Sequence, residues 1–463
     1  MNVVLINPDY KKVYKYVGRK STMVLPPLSL AYLAAFLQKN SYFVEIFDLA
    51  AVEISDEALI KEIKNKKFDL VGITSTTNTI EETYRLASLI KKKLEIKIVV
   101  GGAHPSVLPK QTLKECSAID FVIMGEGELT MLDLVSKKPL ASIDGLAYRQ
   151  NEEIVKNKTR EVIGDLDCLP FPAYNLLPLE KYFSPGIRRY PFATILTSRG
   201  CPYSCSFCVA HTIMARKFRA RSPENVLAEI DYLVKNFNIK EISIQDDNFT
   251  LHYKRAAKIC DGLIFRNYDL IWKVANGIRA DRVDHSLIQK MKRSGCYLLA
   301  FGIESGNEQI LKLIGKGETK DQIKRAINWA KKEKILTEGF FIIGNEGDNK
   351  ETILETIGYA KKLDLDFAQF QTFIPFFGSK YRDKIEKEGK IFAKSWADYN
   401  AFNMPIFSHG ELTPELMFLM QKVAYRNFYF RPKIILKKLL EIRSWKQFKS
   451  YLNAGQSIFY FTK

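Results

Sequence analysis

Three cysteines, Cys201, Cys205 and Cys208, fall within eight residues of the segment TSRGCPYSCSFCVA, 197–210. A strand-like run, FATILTS at 192–198, leads into them, and Gly200 opens the loop that carries them. Thiolates this close together are metal ligands, and three of them on a 4Fe-4S cube leave one iron without a protein ligand. An open coordination position is what binding a reactant at a metal requires. A zinc site or three buried thiols are the competing readings, but zinc sites usually pair CxxC motifs and add a fourth ligand, and none stands nearby. Cys116, Cys168, Cys260 and Cys296 are scattered and read as small core residues. Seven cysteines in a chain of 463 residues do not suggest a disulfide framework, and an oxygen-labile cluster needs a reducing compartment.

The thiolates need a frame, and the residues around them supply one. Strand-like runs recur at 192–198, 241–247, 270–278, 297–305, 338–344 and 366–374. Helical stretches separate them: one opens at Ser222-Pro223, a capping serine followed by proline at the first helical position, one runs from Asp284 to Gly295, and one follows Thr319. Six strand-helix units fit a partial (β/α)6 barrel better than a closed eightfold one, with functional groups at the carboxyl ends of the strands.

A separate alternation fills the first 160 residues. Apolar runs at 3–8, 42–48, 69–75, 96–102 and 119–125 alternate with helical patterns such as 28–40 and 80–94. Strands that are apolar throughout belong to a parallel sheet covered on both faces, so this is a doubly wound, Rossmann-like α/β domain. Ligands of such sheets lie beyond the strands' carboxyl ends, which points to the loops 75–78, 101–106 and 125–128. A hairpin turning at Gln150-Asn151 closes the domain. The proline-rich stretch 161–190, with Pro170, Pro172 and Pro178, reads as an extended linker. The expected order is therefore a Rossmann-like domain (1–160), a linker (161–190), a barrel (191–385) and a helical carboxyl-terminal region (386–463).

Hydrophobic residues make up 46% of the chain and charged residues 26%, a globular composition. The amino terminus shows no secretory pattern, and no apolar run reaches the roughly 18 residues of a membrane span, so a cytoplasmic location is expected. Lysine and arginine exceed aspartate and glutamate by 70 minus 52, a net charge of +18. That excess suits phosphates or anionic lipid head groups, or is simply a solvated lysine-rich surface. The basic amphipathic stretch 431–452 either packs its apolar face on its own chain, the commoner use, or lies at the periphery of an anionic membrane. With Phe428, Tyr429, Phe430 and Trp445 beside it, a lipid or lipid-linked substrate is one expectation.

The spacing CxxxCxxC, with Phe207 before the third cysteine, resembles the motif of the radical S-adenosylmethionine (SAM) superfamily. QDDNF at 245–249, ANGIRAD at 275–281, FGIESG at 301–306 and GFFIIG at 339–344 look like that family's later strand-end motifs, in the right order. The resemblance implies that SAM binds the open iron and is cleaved reductively to methionine and a 5'-deoxyadenosyl radical. Phe207, Asp247, Asn276, Arg279, Glu304 and Ser305 are then the candidates for holding SAM. The competing role for Asp247 and Glu304 is capping the helices that follow. The electron would come from a donor such as flavodoxin or ferredoxin.

In the amino-terminal half, NPDY at 7–10, LPPLSLAYLAAFL at 25–37, VGITSTTN at 71–78, GGAHPSVLP at 101–109 and GEGE at 125–128 are similar to the cobalamin-binding (B12-binding) domain of class B radical SAM proteins. Members of that group include methylases of unactivated carbons and the anaerobic magnesium-protoporphyrin ester cyclase. The resemblance implies a cobalamin lined by Ser75, Thr76, Thr77, Gly101, Gly102, His104, Glu126 and Gly127. The DxHxxG motif that ligates cobalt from below is missing, so His104 is expected to shape its loop, not to bind the metal.

Methyl transfer to a poorly activated carbon is the leading expectation, with two SAM molecules consumed per turnover, one to methylate cobalt and one to supply the radical. Cobalamin-assisted cyclisation or oxidation is the alternative. An RNA-modifying methylthiotransferase would need a second cluster on amino-terminal cysteines. Only Cys116 and Cys168 precede residue 200, too few, and nucleic acid is not an expected partner. A non-enzymatic cobalamin or redox sensor would not need the full set of strand-end motifs.

Overall fold

The computed structural model describes residues 1–13, 23–151, 153–184, 186–440, 452, 455–456 and 458–462. They form two compact units. One comprises 1–202, 209–243 and 395–397; the other comprises 203–208, 244–394 and 398–463.

The amino-terminal sheet has seven strands: β1 (Asn2–Asn7), β2 (Phe43–Asp48), β3 (Leu70–Thr74), β4 (Lys97–Gly101), β5 (Phe121–Ile123), β6 (Leu146–Gln150) and β7 (Glu153–Lys156). Their order is β2-β1-β3-β4-β5-β6-β7. The first five pair in parallel, and β6 and β7 close the edge as the antiparallel hairpin expected around Asn151. Val3, Val4, Leu5 and Ile6 are wholly buried, as a strand covered on both faces requires. One face packs Val4, Ile6, Val71, Ile73, Ile98 and Val100 against Leu59, Ile63, Leu86 and Ile90 of the covering helices.

A six-stranded parallel sheet follows, built from β8 (Phe192–Ile195), β9 (Glu241–Ile244), β10 (Ile271–Ile278), β11 (Cys296–Glu304), β12 (Leu336–Ile343) and β13 (Phe367–Thr372). Its strands lie in chain order, with β13 and β8 at the ends, as in an open six-unit barrel. The helix starts carry the expected caps. Ser222 Oγ accepts from Asn225 N, Asp284 accepts from Leu287 N, and Thr319 forms a capping box with Gln322. The carboxyl-terminal region contributes helices Lys380–Glu388, Pro414–Tyr429 and Pro432–Leu440. Ile435 and Leu436 are exposed on the last of these. The rest of the basic stretch lies almost entirely outside the described residues, and Trp445 with it. Among the described residues no helix is long and apolar enough to cross a membrane.

Two local readings change. Cys168 is exposed, whereas Cys116, Cys260 and Cys296 are buried. Among its described residues the proline-rich segment lacks α-helix, carries short 3-10 turns and is packed through buried side chains such as Tyr174 and Tyr182. The Tyr182 hydroxyl donates to Asp48 at 2.9 Å. Tyr174 is wholly buried, its hydroxyl 2.7 Å from Glu229 Oε1 and 3.0 Å from Thr194 O. Glu229 is itself fully buried and pairs with Arg221, whose guanidinium also reaches Leu196 O at 2.9 Å. Each proline-flanked tyrosine thus carries a hydroxyl to a buried carboxylate, which local sequence patterns do not register.

Tyr174→Phe removes a hydrogen bond to a buried charge and is expected to cost about 1.5–3 kcal/mol. Arg221→Met strands the Glu229 carboxylate and should cost more, about 3–5 kcal/mol. Urea unfolding of the full chain measures both, and equal losses would contradict this order.

Candidate active site

In the unit that contains residues 203–208, the cysteine loop is held by backbone and by aromatic-cation contact. Ser206 N donates to Ile314 O at 2.9 Å, and Tyr381 N donates to Ser206 O at 3.0 Å. The Tyr203 ring lies 3.8 Å from the Arg279 guanidinium carbon, and its hydroxyl accepts from Arg282 Nε at 2.8 Å. Arg279 is otherwise committed to Asp281 (2.9 Å) and to the Lys316 carbonyl (2.6 Å), so it braces the segment between the first two cysteines against the 315–318 turn.

That turn, Gly315-Lys316-Gly317, has both glycines in the left-handed region, φ 69° each. The Gly315 carbonyl lies 3.8 Å from Cys205 Sγ. The Lys316 ammonium is buried 3.3 Å from Glu304 and 3.3 Å from Glu318. Burial opposes its charge, but Glu304, Glu318 and then Cys205 outweigh it and hold the amine above the ordinary lysine range. A permanent cation beside Cys205 suits a metal-bound thiolate, and all three cluster cysteines are half-buried. Three half-buried thiols are donors of the kind a 4Fe-4S cluster takes, and Cys201, Cys205 and Cys208 are the residues that would hold it; among the described residues no three His, Cys, Asp or Glu side chains are gathered closely enough to hold a metal ion.

Glu304 ends β11 with φ 68°, an uncommon backbone conformation for a glutamate at a strand end. Burial raises its carboxyl above the usual range, and Lys316 opposes that rise. The Glu304 side chain folds back over Gly302, where a Cβ would sit 2.6 Å from Glu304 Oε1. Asn276 is exposed and donates to Gln245 O at 2.7 Å, tying the ends of two neighbouring strands together. Asp247 is exposed and Phe207 half-buried. Ser305 is fully buried, with its hydroxyl 3.1 Å from Thr356 Oγ1 and accepting from Asn307 N. Local sequence patterns do not single out Tyr203, Lys316 or Glu318. The one signal in the sequence was a lysine between two glycines.

The other unit contains the loops at the carboxyl ends of β3, β4 and β5. Gly102, at φ 106°, would bring a Cβ to 2.4 Å from Ser75 O, so two loop backbones touch there and only glycine fits. Ser75 N donates to Gly101 O at 2.8 Å, and Thr76 caps the 77–79 turn through a capping box with Thr79. The Ser106 hydroxyl donates to Gly102 O at 2.6 Å and accepts from Gly125 N at 2.9 Å, stitching the β4 and β5 loops together. The space at Gly102 is thus taken up by backbone packing between the β3 and β4 loops. Thr76 is exposed, while Thr77, Gly101, Gly102 and Gly127 are partly so.

His104 is buried, 2% exposed, and neither ring nitrogen has a hydrogen-bond partner among the described residues. Its ring meets Trp396 edge-on at 4.6 Å. Trp396 donates from its backbone to Glu81 at 2.9 Å and from Nε1 to Glu115 at 2.8 Å. Glu126, expected to face cobalamin, turns its carboxylate to Arg199 and Arg219 instead.

A model of the B12 binding domain matches residues 14–135, and one of the radical SAM superfamily matches residues 195–360. An uncharacterised methyltransferase of Pyrococcus horikoshii is 35% identical over 446 residues, 95% of each chain. This chain is a B12-binding radical SAM enzyme. Its cofactors are a 4Fe-4S cluster, SAM and cobalamin. The enzyme is also similar to the anaerobic magnesium-protoporphyrin IX monomethyl ester cyclase of Rubrivivax gelatinosus, 28% identical across 98% of this chain and 83% of the relative. The cytidylyl-2-hydroxyethylphosphonate methyltransferase of Streptomyces wedmorensis is 29% identical across 84% of this chain and 82% of its own. The solved cobalamin-dependent SAM radical enzyme OxsB shares the fold, with a TM-score of 0.77 at 19% identity, covering 100% of this chain and 71% of OxsB.

Gly102→Ala is expected to strip hydroxocobalamin from the reconstituted enzyme while its iron content stays at the wild-type level; visible absorbance after gel filtration reads both. Burial pushes the His104 imidazole down to about 4, with Glu115 opposing. A lowered base contributes stability that is present above the unfolded value near 6.5 and is lost as pH falls through that value toward 4. Between pH 7 and pH 5 the wild type should therefore lose about 2 kcal/mol more stability than His104→Phe. Identical acid limbs in urea unfolding would refute the assignment.

Proposed function

We propose that this enzyme transfers a methyl group to a poorly activated carbon atom of its substrate. The observation that carries this reading is end-to-end similarity to a methyltransferase in a chain that has both the three-cysteine loop and the glycine-lined β3–β5 loops. When bound, the cluster supplies the electron that splits SAM into methionine and a 5'-deoxyadenosyl radical, and cobalamin supplies the methyl group.

The chain's own work is to hold and to orient. Cys201, Cys205 and Cys208 would ligate three irons, and the clamp of Arg279 and Arg282 on Tyr203 keeps the first two cysteines in register. Lys316, held between Glu304 and Glu318, places a buried cation near Cys205. Glu304, Asn276 and Asp247 at the strand ends would take the amino group and ribose hydroxyls of SAM. The buried walls around Phe301, Phe341 and Phe370 keep water from that sheet. A small low-potential protein such as flavodoxin or ferredoxin would deliver the electron.

Cyclisation is the second reading, favoured by similarity to the cyclase across nearly the whole chain. One experiment separates the two. The enzyme is reconstituted anaerobically with iron, sulfide and hydroxocobalamin, then incubated with dithionite, SAM deuterated at its methyl group, and a small-molecule extract. Methyl transfer predicts a product carrying the deuterated methyl. Cyclisation predicts reductant-dependent 5'-deoxyadenosine with no label in any product. Replacing any one of the three cysteines by alanine is expected to abolish 5'-deoxyadenosine, and a variant that kept wild-type rates would remove the cluster assignment.

A further inference from the structure

The loop after β5 carries two carboxylates that point to the neck of the cysteine loop. Ser198-Arg199 pairs antiparallel with Arg219-Ala220, so residues 200–218 leave and return through one short ribbon. Arg199 stands two residues before Cys201, and Arg219 stands eleven after Cys208. Glu126 accepts from both arginines, at 2.8 Å from Arg199 Nη1 and 2.8 Å from Arg219 Nη1, and also from Ile163 N at 2.8 Å. Glu128 takes the other arm of Arg199 at 2.7 Å. All four side chains are 7% exposed or less. Two carboxylates against two guanidiniums make the group neutral, as its burial demands. Gly200 completes the neck: at φ 80° a Cβ there would meet Lys217 O at 2.5 Å.

Neighbouring atoms connect this neck to the β4 loop. Gly125, immediately before Glu126, is hydrogen-bonded to Ser106, which also holds Gly102. One backbone stretch therefore carries both the glycine surface described above and the carboxylate that grips the ends of the cysteine loop.

We propose that Glu126 is a positioning residue for the iron-sulfur cluster: through Arg199 and Arg219 it fixes both ends of the loop that carries Cys201, Cys205 and Cys208. The role holds whether the enzyme methylates or cyclises, since it concerns where the cluster sits and not what the radical does. A carboxylate is needed, because it alone accepts from two guanidiniums and an amide at once without leaving a buried charge uncompensated.

The test uses the full-length enzyme reconstituted with iron, sulfide and hydroxocobalamin. Glu126→Gln is expected to keep its circular dichroism and its hydroxocobalamin, while the change that SAM produces in the electron paramagnetic resonance spectrum of the reduced cluster disappears. Reductant-dependent 5'-deoxyadenosine should fall by about a hundredfold, the scale of an ångström's misplacement. Glu126→Asp, which restores the charge, should recover the SAM-dependent spectrum. If Glu126→Gln is insoluble, Arg219→Lys is read in its place with the same expectations. A wild-type spectrum with SAM overturns the proposal. So does joint loss of hydroxocobalamin, cluster and fold in both variants, which would make these residues a folding core and not a positioning device.

Discussion

Three thiolates on one stretch of chain can hold a cube only if the stretch is closed at its base. A free loop of this length would lose about 1–2 kcal/mol of backbone entropy per residue on ordering, far more than a surface turn returns. Here a short backbone ribbon closes the base and buried ion pairs lock it. Arg199 and Arg219 are buried against Glu126 and Glu128, which compensate their charge, and removing one partner of such a group costs about 3–5 kcal/mol. Everything carried by residues 200–218 depends on that arrangement.

The farther part of the loop is secured by other means. Tyr203 under Arg279, Ser206 between Ile314 and Tyr381, and the Gly315 carbonyl beside Cys205 make a shell of backbone and π contact. Lys316 stands at its centre among Glu304, Glu318 and Cys205. The site thus combines a neutral ionic neck with the buried cations Lys316 and Arg279, held by Glu304 and Glu318 near Cys205.

Much of this was legible from residue order. The apolar runs mark β1 to β5, the six later runs mark β8 to β13 within a few residues, and Ser222, Asp284 and Thr319 announce their helices, because periodicity and capping are local physics. The cysteine spacing is equally local. Partners set by the fold left no such trace. Glu126 and Arg219 are far apart in the chain, and nothing around GEGE says that its carboxylates face arginines. Ser305 follows Glu304 in a recognisable motif, yet backbone geometry turns its hydroxyl to Thr356. Trp396 reaches His104 from nearly three hundred residues away, beyond any window of periodicity.

The assignment of residues 395–397 to the amino-terminal unit has a consequence for inheritance. The chain leaves that unit after 202, returns for 209–243, and comes back once more with Ser395, Trp396 and Ala397. No single cut yields either unit whole, so recombination between relatives at one breakpoint would always orphan a piece of each. A chimaera that exchanged the first unit would have to replace 1–202, 209–243 and 395–397 together, and would carry β8 and most of β9 of the six-stranded sheet with it.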